Sequence, residues 1–355
     1  MKRAIALSLL FGAAALAQAQ AGEPAPHAKF HIRPVALFYE HLYEGGFANP
    51  MGIAVDPKSN EIWVADTGNN LIGVFTPDGA PLYTFGSADL HEPIRVAVDS
   101  KGRVCVLDND RNRIKAFTYR GDPLGDLTLP GLPEKPTFGT IAFDADGNLY
   151  VGENETCQVL VYGPDLKPRQ RFGSCGPEEG QFQAITGIAV DKERIVVVDA
   201  QVLAVQVFDK HGEFVRGWGH HDMGIQNFSL PASVALDAKG HIVVIDTLRH
   251  EIKFFDYEGN FLERFGGLGR RIGQASYPSG IAADPSGRLY VVEKFNARVQ
   301  AYVVAEGGFP TAALDKKDNG PKGQESDRKE VPRISRTSNS NSGSTPGSSN
   351  NRLEE

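Results

Sequence analysis

The chain has 355 residues, 41% of them hydrophobic, with 39 glycines, 22 prolines and 3 cysteines. That length suits two ordinary domains or one larger repeat array, and the glycine and proline content implies many turns. A formal net charge of −7 argues against general affinity for nucleic acid or an anionic membrane surface.

The first residues read as an export signal. Lys2 and Arg3 precede an apolar run from Ala4 to Ala17, and Ala17-Gln18-Ala19 or Ala19-Gln20-Ala21 offers a small-x-small cleavage pattern. The run is shorter than the ~20 residues that cross a bilayer, and no later segment is apolar enough to do so. Residues 1–21 are therefore expected to be a signal peptide, residues 22–34 a linker, and the mature chain a periplasmic or secreted monomer. At the other end, residues 305–355 are rich in Ser, Asn, Gly, Lys and Glu and predict a disordered tail.

Between these ends one unit recurs. It reads PMGIAVDPKSNEIWVADTGNNLIGVF from Pro50, and returns from Pro93, Gly139, Thr186, Pro231 and Pro278. Its marker aspartates are Asp56, Asp99, Asp144, Asp191, Asp237 and Asp284, spaced 43 to 47 residues apart. The period and its alternating apolar pattern predict six blades of four short antiparallel strands, an all-β propeller over residues 35–304. Alanines stand two residues before each marker, valines recur in the second strand, and Phe or Tyr ends the third. These suit a narrow inner strand, a pleated middle and a wide outer gap. Four of the markers open Asp-x-x-Gly turns, ending at Gly102, Gly147, Gly240 and Gly287, so they read as turn-formers and not catalytic acids. The sixth unit has only three strands, and Val35–Tyr39 is an orphan strand expected to pair around Arg298–Tyr302 and close the ring.

The Ile-Ala-Val-Asp element, valine-rich second strand and Ile-x-x-Phe third strand resemble the NHL-repeat family over roughly residues 35–304. The resemblance implies a six-bladed propeller. Relatives of that architecture include metal-dependent amidating lyases and sugar lactonases, whose ligands converge in the central channel. Here the inner strands offer Ile, Ala and Val, and no His points there. Other NHL propellers bind RNA, which an export signal disfavours.

Cys157 and Cys175 flank a hairpin around residues 163–167. Centred at Leu166, it sets them opposite each other and predicts a disulfide, while Cys105 reads as a buried core thiol. Function is expected on the face that carries the second-to-third-strand loops and the connections between blades, the least repetitive segments. Its candidate binding residues are Asn69, Asn70, His91, Arg95, Arg111, His220, His221, Arg249, His250 and Asn296. They offer amides, imidazoles and guanidinium forks expected to have free donors, suited to a protein or glycan partner. A second acid recurs there: Asp66, Asp108, Glu153, Asp199, Asp246 and Glu293, 8 to 10 residues after each marker, each expected to cap its own loop. Arg95 replaces the small or neutral Gly52, Thr140, Gly187, Ser233 and Gly280, and reads as an anion-binding group or as the partner of Glu92. The reading is a non-enzymatic binding or scaffold module without cofactor or metal. The alternative is a hydrolase or lyase at the channel mouth around Arg95, His220, His221 and His250.

Overall fold

The computed structural model describes residues 30–307. The predicted signal peptide, residues 22–29 of the predicted linker and residues 308–355 of the predicted tail lie outside the described residues, while residues 305 and 306, read as tail, continue the strand Arg298–Glu306. The described residues form six four-stranded antiparallel sheets, the blades of a propeller. The inner strands are Pro50–Val55, Pro93–Val98, Phe138–Phe143, Ile185–Val190, Pro231–Leu236 and Pro278–Ala283.

The core is divided among the blade junctions. One cluster of buried side chains fills each of the six junctions, the last joining blade six to blade one. The repeating residues do the work their types suggest. The second-strand valines Val64, Val106, Val151, Val197, Val244 and Val291 are fully buried, and the third-strand rings from Phe75 to Tyr302 are at most 1% exposed. Small alanines on the inner strands let adjacent sheets approach: Ala97 and Ala235 pack directly into these clusters.

The ring closes through its ends. The strand Phe30–Phe38 pairs antiparallel with Arg298–Glu306 as the outer strand of blade six. It begins at Phe30, so five residues read as linker belong to the sheet, and it stops at Phe38, one short of Tyr39. The alternation of Phe30, Ile32 and Pro34 with polar neighbours carries the pattern back past Val35, with a bulge between Pro34 and Ala36. Phe38 then packs on Phe75 and Tyr290, whose ring centroids lie 5.6 and 6.2 Å away.

Turns between strands one and two lie on one face, with those between strands three and four. The four Asp-x-x-Gly turns form as expected: Asp99, Asp144, Asp237 and Asp284 accept backbone N–H groups two and four residues ahead. Gly102, Gly147, Gly240 and Gly287 take φ values of 82 to 88°.

Cys157 and Cys175 form a disulfide with Cα atoms 4.9 Å apart, and Cys105 is buried, its thiol pushed up to about 12 by burial. The predicted register is off by one. Val159 faces Phe172, so Cys157 is not a ladder partner of Cys175. Cys157 takes a left-handed conformation, φ 54°, at the end of the loop preceding the strand, and Cys175 lies in the following connection, bridged to Phe182.

Candidate functional site

The opposite face, here the loop face, is organised by its six acids. Asp66, Asp108, Glu153, Asp199, Asp246 and Glu293 are all fully buried. A carboxylate in that setting must be satisfied by hydrogen bonds. Each accepts a backbone N–H from the connection arriving from the preceding blade, donated by Ala48, His91, Thr137, Gln183, Ser229 and Ser276 respectively. Glu153 and Asp199 also cap their own loops, through Glu155 and Thr156 and through Gln201 and Val202. All six acids therefore join successive blades, whereas only Glu153 and Asp199 accept backbone N–H groups of their own loops as expected. Among the described residues, no group of three or more His, Cys, Asp or Glu is placed to hold a metal ion.

Several of the candidate side chains are committed to the same purpose. Four residues after the acid the chain turns left-handed, with φ of 58° at Asn70, 43° at Asn112, 54° at Cys157 and 59° at His250. Asn70, Asn112 and His250 accept the backbone N–H of Glu92, Phe138 and Tyr277, so His250 acts as an asparagine does elsewhere in the ring. Burial pushes the His250 pKa below the usual imidazole value, which keeps it neutral and able to accept. Asn69 and Asn296 donate to the carbonyls of Gly46 and Gly269 and to their own loop acids. Arg249 donates to Ser229 Oγ and to the carbonyls of Gly224 and Asp222, fastening the connection into blade five. Asn69, Arg249 and Asn296 therefore lack the free donors expected of them, whereas Asn70 and His250 are engaged through an acceptor atom and keep their N–H groups.

Others remain available. Arg111 and His220 are exposed, and their side chains make no hydrogen bond among the described residues. His221 lies 3.1 Å from the Val202 carbonyl. His220 and His221 line a cleft of about 1090 Å³ with Leu203, Trp218, Glu178 and Glu179. His91 and His250 belong to other junctions and do not join them. Arg95 stands at the channel mouth and donates to the carbonyls of Ile94, Thr186 and Ala232. The predicted pair with Glu92 is absent, since that carboxylate meets Asn109 instead.

Sequence reasoning missed an apolar surface. Twelve large hydrophobic residues are exposed among the described residues, and nine lie on the loop face: Tyr39, Leu42, Tyr43, Met223, Ile225, Leu248, Leu268, Ile272 and Phe295. The other three, Val35, Leu124 and Val215, are on outer strands, and none is on the turn face. Leu248, Leu268, Ile272 and Phe295 belong to segments 247–250, 267–277 and 294–297, which contain four cations and no acid. Of these cations Arg249 is committed, whereas Arg270, Arg271 and Lys294 have no side-chain partner among the described residues. A cleft of about 330 Å³ lined by Tyr39, Arg270, Phe295, Asn296 and Arg298 opens beside them. The available signal was apolar residues at loop positions that are polar in other repeats.

Comparison with known proteins agrees with this architecture. The NHL repeat family matches residues 47–75 and 90–117. The human E3 ubiquitin-protein ligase NHLRC1 is 25% identical over 230 residues, covering 61% of this chain and 57% of that protein. The Drosophila melanogaster protein brain tumor is 25% identical over 179 residues, covering 50% of this chain but 13% of that protein. The chain thus spans little more than half the length of the first relative and a small part of the second. Among solved structures, a streptogramin B lyase covers 78% of this chain and 98% of its own, at TM-score 0.56 and 13% identity. A gluconolactonase from Xanthomonas campestris covers 77% and 89%, at TM-score 0.57 and 15% identity. At such identities these two show the fold alone. Repeats, register and ring closure together make this chain a six-bladed β-propeller, with NHL repeats matched in its first two blades.

Proposed function

We propose that the chain is a non-enzymatic binding module that docks an acidic, apolar segment of a partner protein on the loop face of blades five and six. The observation that carries this reading is the coincidence of exposed Leu248, Leu268, Ile272 and Phe295 with unpaired Arg270, Arg271 and Lys294. An apolar patch rimmed by charge marks an interaction surface, and cations on a chain of net charge −7 select an acidic partner. Three of the four exposed anchors are aliphatic. Side chains of a protein fit such anchors better than the hydroxylated faces of a glycan, which prefer aromatic platforms. The reading is set outside the cytoplasm, on the basic-then-apolar first segment and the disulfide.

The test is fluorescence anisotropy with acidic peptides carrying Leu and Phe, alongside matched lysine peptides and heparin oligosaccharides. Acidic peptides are expected to bind, weakening as salt rises. Binding should fall at least tenfold when Arg270→Glu, Arg271→Glu and Phe295→Ser are combined, with an unchanged melting midpoint. Preference for heparin, or loss of peptide binding on altering Lys58 and Lys239 of the turn face instead, would overturn the reading.

A further inference from the structure

The six inner strands carry one charged residue, Arg95. It stands at the end of the channel that opens on the loop face. Every inner strand has a β-bulge after its first residue, and Arg95 directly follows the bulge of blade two. Bulges re-aim the side chains beside them. The throat is narrow there. A Cβ added at Gly52, the same position in blade one, would lie 2.7 Å from the Arg95 Cα atom.

The guanidinium reaches across the channel. Besides the Ile94 carbonyl of its own blade, it meets the carbonyls of Thr186 at 3.2 Å and Ala232 at 3.1 Å, from blades four and five. These use three of the five N–H donors an arginine carries and leave two. No carboxylate lies within 4.0 Å among the described residues, so the positive charge has dipoles around it and no counter-charge. Crowding by protein atoms pushes its pKa down to about 10, which leaves it protonated at neutral pH. A charge so placed is costly without an anion. The side chain is still partly touched by solvent, so an anion can reach it.

We infer that the channel mouth is an anion site in which Arg95 binds a single carboxylate through its remaining donors. The site stands independently of what docks on blades five and six. The carboxylate has two sources, a free small acid or an Asp or Glu side chain of a protein seated on the loop face.

The experiment uses the full chain, with Arg95→Gln and Arg95→Lys variants. The ¹⁹F resonance of trifluoroacetate is followed at constant ionic strength, well below the melting temperature. Broadening is expected with the wild type and Arg95→Lys, and its loss with Arg95→Gln. Equal broadening by Arg95→Gln would place any carboxylate elsewhere. No broadening with the wild type would make Arg95 a tether between blades and nothing more. Both results overturn the inference. Acidic-peptide titrations then separate the sources. Competition by acetate, with weaker peptide binding in Arg95→Gln, identifies a partner side chain. Acetate binding beside an undisturbed peptide identifies a free acid.

Discussion

The aspartates of the turn face and the acids of the loop face come from the same repeat, 8 to 10 residues apart, yet they bind different parts of the chain. Asp237 accepts the N–H groups of Lys239 and His241, within four residues of itself. Asp246 accepts from Ser229 and Leu230, in the connection arriving from blade four, and pairs with Lys253 at 3.0 Å. Turn acids are buried or partly exposed, while every loop acid is fully buried. The first ring shapes six local turns, with Asp56 and Asp144 also meeting Tyr119 and Lys210 of the next blade, while all six acids of the second hold successive blades to one another. The same residue type therefore serves chiefly local order on one face and chiefly ring integrity on the other.

The largest break is expected where a blade connection is removed outright. A chain starting at residue 39 lacks the strand Phe30–Phe38 and leaves the edge of Arg298–Glu306 open. It also loses the Phe38 side chain from the last junction, next to Tyr290 and Phe75. Urea unfolding should lose its single cooperative transition relative to a chain starting at residue 30. A transition of unchanged midpoint and slope would mean that the ring does not depend on closure.

Next in size is the direct contrast between the rings. Asp246→Ala removes the nearer counter-charge of the fully buried Lys253 ammonium and leaves it only Glu251 at 3.8 Å, a change that costs ~3 kcal/mol. Asp237→Ala removes a local turn acceptor and should cost ~1 kcal/mol. Equal costs in chemical denaturation would refute the division of labour between the faces.

The disulfide sharpens the same contrast on one blade. It ties the loop end at Cys157 to the connection leaving blade three at Cys175, so it too is a loop-face fastening. For a separation of 18 residues, breaking it should cost ~3 kcal/mol or less. Mass spectrometry of unreduced peptides checks the bond, and Cys157→Ala with Cys175→Ala checks its contribution.

These cases also show what one dimension of sequence can carry. Blade number, strand order and the roles of Val64 or Phe75 were legible because six copies repeat the same side-chain burden in register. The loop face was legible as a location only. Arg249 and His250 looked free because their acceptor and donor lie in connections about 25 residues away, brought near by the ring and not by any local pattern. The register of Cys157 was missed for a related reason. It occupies the left-handed position of Asn70 and His250, a site usually betrayed by Asn and here masked by a cysteine.

The smallest effect separates the faces by the sign of a pH dependence. On the turn face, His241 Nδ1 lies 2.7 Å from Asp237 and Nε2 3.0 Å from Glu306, and its pKa is raised, chiefly by the hydrogen bond to Asp237. Lys239, also bonded to Glu306, opposes this weakly. A raised folded-state value gives stability that is fully present below the ordinary value of 6.5 and is lost as pH rises through the folded value. On the loop face, His250 is lowered by burial, so protonation below 6.5 favours the unfolded chain and its contribution is lost as pH falls through the folded value. Each effect should stay under ~1 kcal/mol, because both rings keep some contact with solvent. Melting curves between about pH 5.5 and 8 compare the wild type with His241→Gln and His250→Asn. As pH falls through this range, His241→Gln should lose ground to the wild type. His250→Asn, which restores the residue used at Asn70, should gain it. Slopes of the same sign in both variants would show that the two histidines answer to the overall charge of the chain and not to the acids and backbone groups of their own faces.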